Sequence, residues 1–115
     1  MNYTNYQYYQ NKKFVIDTLI NLADSSPVRK TYQNNIHGIS QNHYDISQQE
    51  LNIWMDYINS VLDILSDYIS QAKVSMIKAQ IRNIASKNAS TPAMCALNIE
   101  RELLKLARNI LAHYP

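Results

Sequence analysis

Apolar residues recur every three or four positions through most of this chain, and the pattern is clearest in its middle third. That spacing places the apolar side chains on one face of an α-helix. From Ser47 onward, no Gly or Pro occurs before Pro92. The pattern therefore predicts a long helical run from Ser47 to Ser86. The apolar positions of this run are Leu51, Trp54, Ile58, Val61, Leu62, Leu65, Tyr68, Ile69, Ala72 and Met76.

The start of this run has the sequence of a capping box, Ser47-Gln48-Gln49-Glu50. The Ser47 hydroxyl can accept a hydrogen bond from the Glu50 N–H, and the Glu50 carboxylate can accept one from the Ser47 N–H. Ile46 before the cap and Leu51 after the first turn are placed for a hydrophobic staple. Both signals predict that the helix begins at Ser47.

The length of the run raises the question of whether it is one helix or two. A continuous helix of 40 residues would be about 60 Å long, which exceeds the width of a globule of 115 residues. Either the helix breaks near Ser70–Lys73, or it projects and pairs with another subunit. Both alternatives set Asp63 and Asp67 against Lys73 or Lys78.

Two further helices are predicted, one on each side of the long run. The first runs from about Asn5 to Ala23, and Asp24-Ser25-Ser26-Pro27 ends it. Residues 28–33 are expected to form a short helix, and residues 34–38 a turn. Thr91 as N-cap and Pro92 at the first helical position begin the last helix, which continues to the C-terminus.

The last helix is apolar on two sides. A helix of this kind is buried between partners, so we expect it at the centre of a bundle or at a dimer interface. Its two apolar lines are Leu97, Leu104 and Leu111, and Ile99, Leu103, Leu106 and Ile110.

The composition supports an all-α fold. The chain has 115 residues, which is the size of one domain, with one Gly and three Pro, too few for the turns of an all-β fold. We therefore expect one domain, a bundle of three to five helices that self-associates. The Tyr-rich residues 1–10 are interpreted as a flexible arm that packs locally or, alternatively, as an aromatic arm that stacks on bases or inserts into a partner.

The cysteine and histidine content bears on compartment and on cofactors. A single cysteine, Cys95, cannot form an internal disulfide, and the sequence shows neither a signal peptide nor a membrane span, so a reducing cytoplasmic location is expected. Cys95 is either a thiol with a pKa lowered by the helix dipole or a small buried residue. His37 and His43 lie near Asp45 without a third ligand at a recognisable spacing, so no metal or other cofactor is expected.

The net charge of +2 hides a division of the chain. Residues 1–67 carry four Lys/Arg and seven Asp/Glu, whereas residues 68–115 carry seven Lys/Arg and two Asp/Glu. Part of this division follows from the helix macrodipole, which favours acids early and bases late in a helix.

The end of the last helix, Arg108-Asn109-x-x-x-His113, resembles the signature of the HEPN superfamily. Members are usually metal-independent endoribonucleases of toxin–antitoxin, CRISPR and abortive-infection systems, and they usually act as dimers. The resemblance implies that Arg108 and His113 are catalytic and that Asn109 supports them. His113 would act as general acid or base at a ribose 2′-hydroxyl, and Arg108 would stabilise charge on the phosphate. The alternative is a solvated or acid-paired Arg108 and a histidine that complements the helix dipole.

A second resemblance involves Ile81-Arg82-Asn83, Ser90-Thr91-Pro92-Ala93 and the stretch 103–107. These segments are similar to the C-terminal helical part of the large subunit of some type I CRISPR surveillance complexes, which also exists as a separate small all-α subunit. Such subunits are non-catalytic, and the resemblance implies that basic helices contact nucleic-acid backbone. The candidate residues are Lys73, Lys78, Arg82, Lys87, Arg101 and Lys105. The alternative is a leucine-rich helix with a solvated basic face.

Three functions are therefore open. The first is a non-catalytic binding or assembly module that contacts RNA or single-stranded DNA through its basic half, as in prokaryotic defence complexes. The second is a HEPN-like ribonuclease. The third is a phage or plasmid inhibitor or immunity protein, which would present Asp56, Asp63 and Asp67 to a basic partner surface.

Overall fold

The computed structural model describes residues 3–29, 46–87 and 91–113, and all regular structure in these ranges is helical. The four main helices are α1 (Tyr3–Asp24), α2 (Gln48–Leu65), α3 (Gln71–Ala85) and α4 (Pro92–His113). Residues 27–29 form a further helical turn. The expected all-α bundle of three to five helices is confirmed. Within the described ranges, no helix is both long enough and apolar enough to cross a membrane.

The last helix, α4, lies at the centre of the bundle. It packs most extensively against α1, and it also contacts α3 and α2. One of its two apolar lines is fully buried, and Leu97 and Leu104 of the other are half-buried. Of the two predicted positions, the structure shows the centre of the bundle, and the dimer interface stays a prediction. The most completely buried side chains of the core are Val15, Leu19, Leu22, Ile58, Leu62, Leu65, Ile77, Ile81, Ile99 and Leu103.

The long helical run of the sequence is two helices. The α2 helix ends at Leu65, and the turn that follows is closed by a 2.8 Å hydrogen bond from the Tyr68 N–H to the Leu65 carbonyl. The α3 helix begins after Ser70, whose hydroxyl accepts the Lys73 N–H at 3.1 Å. Of the two alternatives, the break near Ser70 is therefore correct. It also brings Lys78 of α3 against Asp63 of α2, where the two side chains form an ion pair.

The helix caps follow the sequence closely. Ser47 and Glu50 form the reciprocal capping box, with the Glu50 N–H 3.0 Å from the Ser47 hydroxyl and the Ser47 N–H 2.9 Å from the Glu50 carboxylate. Ile46 and Leu51, the predicted staple, are both buried. Before α4, the Thr91 hydroxyl accepts the Met94 N–H at 3.2 Å.

The end of α1 is held by α2. The Trp54 indole N–H lies 3.2 Å from both the Leu22 carbonyl and the Ser25 hydroxyl, so it donates to the C-terminal turn of α1. The α1 helix extends slightly beyond the predicted range of residues 5–23 at both ends. The expected helix 28–33 begins with the helical residues 27–29, and its remainder lies outside the described residues, as does the expected turn 34–38.

The bundle is elongated, with principal extents of 55 × 31 × 21 Å and a radius of gyration of 15.9 Å. A compact chain of this length has a radius of gyration of about 13 Å. The two short extents correspond to about two to three helix diameters, and each of the four helices has exposed residues on one side. The candidate binding surfaces lie on these outer sides.

Candidate nucleic-acid interface

The inner side of α4 fixes the helix firmly in the bundle. Ala96, Ile99 and Leu103 have no solvent-exposed surface, and Ile110 near the end of the helix is also buried. Because the buried positions recur from Ala93 to Ile110, over about five turns, the helix cannot rotate without exposing its apolar face. The residues on its opposite side are therefore held in a defined direction toward solvent.

That outer side carries three basic residues, Arg101, Lys105 and Arg108, here called the basic row. All three side chains are exposed. Their spacing of i, i+4 and i+7 places them within about 60° of arc and along about 10 Å of helix axis. By the same geometry, the row lies opposite Ile99 and Leu103 of the buried face. The row is thus a line of positive charge on a rigid support.

None of these three cations forms an ion pair within the described part of the chain, in contrast to three of the other basic residues. Lys13 pairs with Asp17 at 2.7 Å, Arg29 with Glu100 at 3.1 Å, and Lys78 with Asp63. The charge of the basic row is therefore available to an external anion.

The other basic candidates do not extend this row. Lys78 is engaged with Asp63, and Lys73 is half-buried in the first turn of α3. Arg82 and Lys87 are exposed, but Arg82 follows Lys73 by nine residues, which places the two about 180° apart on the helix. Of the six predicted contact residues, the structure aligns Arg101 and Lys105, and it adds Arg108 to them.

The residues of the HEPN-like motif are only partly described. Arg108 and Asn109 are exposed, and neither side chain forms a hydrogen bond with another described residue. On the helix they point about 100° apart. His113 is the last helical residue, and its side chain lies outside the described part. Arg108 therefore stands in the basic row, without a supporting hydrogen bond of the kind that orients many catalytic side chains.

The acidic candidates lie on or just after α2. Asp56, Asp63 and Asp67 are all exposed. Asp63 is bound to Lys78, and Asp67 lines an open groove of about 610 Å³ at the turn between α2 and α3. Tyr68, Ile69 and other mainly apolar side chains form most of the remaining wall, and Ile110 contributes from α4.

A polar contact that the sequence did not predict connects α4 to the segment after α1. Glu100 is only 5 % exposed, and its Oε1 accepts the Arg29 Nε–H at 3.1 Å. Arg29 Nη1 also lies 3.7 Å from Asp24 Oδ1. Glu100 Oε2 has no hydrogen-bond partner among the described residues. Little in the sequence indicated this contact, because a glutamate at this position of the helix is as compatible with a solvated side chain as with a buried one.

Cys95 and the histidines are the remaining residues with chemical reactivity or metal affinity. Cys95 is buried, and burial raises the pKa of its thiol above the ordinary value. The interpretation of Cys95 as a thiol whose pKa is lowered by the helix dipole is therefore wrong, because desolvation of the thiolate dominates at this site. No group of three or more His, Cys, Asp and Glu side chains among the described residues could hold a metal ion, and His37, His43 and Asp45 lie outside that part.

Comparison with known proteins gives no match: no protein-family model, curated protein or solved structure is significantly similar to this chain. From the sequence, the three members of the basic row were assigned to two different functions: Arg108 to catalysis, and Arg101 and Lys105 to nucleic-acid contact. The i, i+4, i+7 spacing of the three residues was the signal that joins them.

Proposed function

We propose that this chain is a non-catalytic helical binding module that holds the phosphate backbone of a nucleic acid along the basic row. The supporting observation is the alignment of Arg101, Lys105 and Arg108 on the outer side of α4, exposed and without carboxylate partners among the described residues. A row of unpaired cations on a buried, rigid helix is a surface that attracts a linear polyanion.

The affinity of such a surface comes mainly from counterion release. Each cation that neutralises a phosphate releases condensed counterions, so binding weakens steeply as salt rises. The row has no exposed aromatic residue between its cations that would stack on bases. Binding is therefore expected to depend little on sequence, and a single strand of RNA or DNA serves as probe.

The test is fluorescence anisotropy of a labelled single-stranded RNA and of a labelled single-stranded DNA, titrated over a range of salt. The variant Arg101→Gln/Lys105→Gln removes two charges from the row. The control Lys12→Gln/Lys13→Gln, matched in net charge, removes two charges from α1, one of which is paired with Asp17. We expect the row variant to lower the slope of log K against log salt by about 1.4, since each single-strand phosphate contact contributes about 0.7. Equal losses in both variants would show that only net charge matters and would refute the row as the site.

A HEPN-like ribonuclease is the second candidate, because Arg108 and Asn109 are exposed on α4 and therefore accessible to RNA. It makes a different prediction in the same samples. RNA cleavage in the presence of EDTA, abolished by Arg108→Ala and by His113→Ala, would establish the enzyme and refute the non-catalytic proposal. Binding without cleavage, unchanged in His113→Ala, supports the binding module.

A further inference from the structure

The outer side of α2 carries an exposed apolar row, Ile53, Tyr57 and Ile64, with Ser60 between the last two. The three large side chains are 62 %, 54 % and 55 % exposed, respectively. Among the residues whose side chains are described, Tyr9 is the only other large apolar one that is more than half exposed. Scattered apolar residues are normal at a protein surface, whereas alignment on one helix face indicates an interaction site. This set is called the α2 row below.

The α2 row has the geometry of a helix-packing ridge. Its spacing of i, i+4, i+7 and i+11 keeps the four residues within about 60° of arc over about 17 Å of helix axis. The Ser60 hydroxyl donates to the Asp56 carbonyl at 3.1 Å, so its hydrogen is satisfied within the helix. The small Ser60 side chain therefore leaves a notch between Tyr57 and Ile64 that accepts an apolar side chain of a partner helix.

The charges beside the row define the partner. Residues 31–72 contain no Lys or Arg, so α2 has no cation of its own. Asp56 and Asp63 are exposed along one edge of the row, and within the described ranges only Asp63 is paired, with Lys78. If two copies of α2 packed antiparallel about a two-fold axis, the acidic edge of one would face the acidic edge of the other. A partner with basic flanks is favoured over a second copy.

The size of the row points to a single helix as the occupant. A strip about 17 Å long and one helix wide is far smaller than the roughly 800 Å² per partner of a standard globular interface. It matches the apolar side of one amphipathic helix of about three turns. We propose that the α2 row docks an amphipathic helix of another protein whose apolar residues are flanked by Lys or Arg.

The test uses two labelled 18-residue helical peptides that have the same leucines at heptad positions a and d. One carries lysine at e and g, and the other carries glutamate there. We expect wild-type protein to bind the lysine peptide at least tenfold more tightly than the glutamate peptide. Ile53→Gln/Ile64→Gln should weaken binding of the lysine peptide at least tenfold. The matched control Met76→Gln/Met94→Gln, which also replaces two exposed apolar residues, should leave it unchanged.

Three results would overturn this proposal: equal affinity for the two peptides, equal losses in both variants, or no binding of the lysine peptide at millimolar concentration. Sedimentation of the free protein adds a fourth, since a dimer that Ile53→Gln/Ile64→Gln dissociates would assign the row to a second copy. The substituted positions are exposed, so circular dichroism should show unchanged helix content. Nucleic-acid binding should be unaffected in the same variant, which separates this proposal from the one for the basic row.

Discussion

The outer sides of α2 and α4 share a spacing and differ in chemistry. Both carry residues at i, i+4 and i+7, and both stand opposite a face that is buried in the core. The α4 side presents Arg101, Lys105 and Arg108 at these positions, whereas the α2 side presents Ile53, Tyr57 and Ser60, followed by Ile64 at i+11. Helical packing determines where an outer row lies, but it does not determine what that row contains.

The inner and outer sides of these helices separate the residues that stabilise the fold from those that are free to bind. A buried apolar side chain stabilises the bundle by leaving water, and an exposed one gains little of this free energy. The same holds for charge, because exposed cations without partners contribute little to stability. Both outer rows are therefore expected to tolerate substitution, and the inner faces of the same two helices are not.

Substitutions on opposite sides of one helix test this separation with the largest expected effect. Leu103→Ala and Ile58→Ala each remove a fully buried side chain and should lower the free energy of unfolding by about 2–5 kcal/mol. Arg101→Ala and Ile53→Ala, on the outer sides of the same helices, should change it by about 0.5 kcal/mol or less. Urea denaturation measures all four, and a loss above about 1 kcal/mol at either outer position would show that the row is part of the fold.

The neighbouring residues Glu100 and Arg101 give the next sharpest contrast, since one is buried with a partner and the other is exposed without a described one. Arg29→Met leaves the Glu100 carboxylate buried and unpaired, which should lower the free energy of unfolding by about 1–3 kcal/mol. The double variant Arg29→Met/Glu100→Met should recover most of that loss, because no buried charge remains. Additive losses in the double-mutant cycle would contradict a coupled pair.

The fold was largely predictable because its signals are local. The Ser47–Glu50 box, the Thr91-Pro92 start and the apolar spacing of α2 and α4 each depend on residues within one or two turns. The Trp54 and Glu100 contacts join residues 29–71 positions apart, and no local pattern specifies such a pair. The α2 row was missed for another reason: the helical periodicity of α2 identifies its buried face, and the apolar residues on the opposite side are not part of that pattern.

Cys95 offers a smaller test of the inner side of α4. Burial raises the pKa of its thiol, so less thiolate is present at a given pH than at an exposed cysteine. Alkylation by iodoacetamide at pH 8 should be at least tenfold slower in the folded protein than in the unfolded chain, and it should accelerate as pH rises. Equal rates in the two states would mean that the inner side of α4 opens to solvent on the time scale of the reaction.

The Lys78–Asp63 ion pair is expected to have the smallest effect on stability. It contributes both to the fold and to the acidic edge of the α2 row. Asp63 lies at the acidic edge of the α2 row and is about two-thirds exposed, so Lys78→Gln should lower the free energy of unfolding by less than about 1 kcal/mol. The same substitution frees the Asp63 charge. Affinity for the lysine peptide should therefore increase about two- to threefold at low salt, with no change for Lys12→Gln. Because screening weakens exposed charge interactions, the gain should shrink as salt rises. A gain that persists at high salt would mean that Lys78 obstructs the α2 row sterically, and the acidic edge would then have no part in choosing the partner.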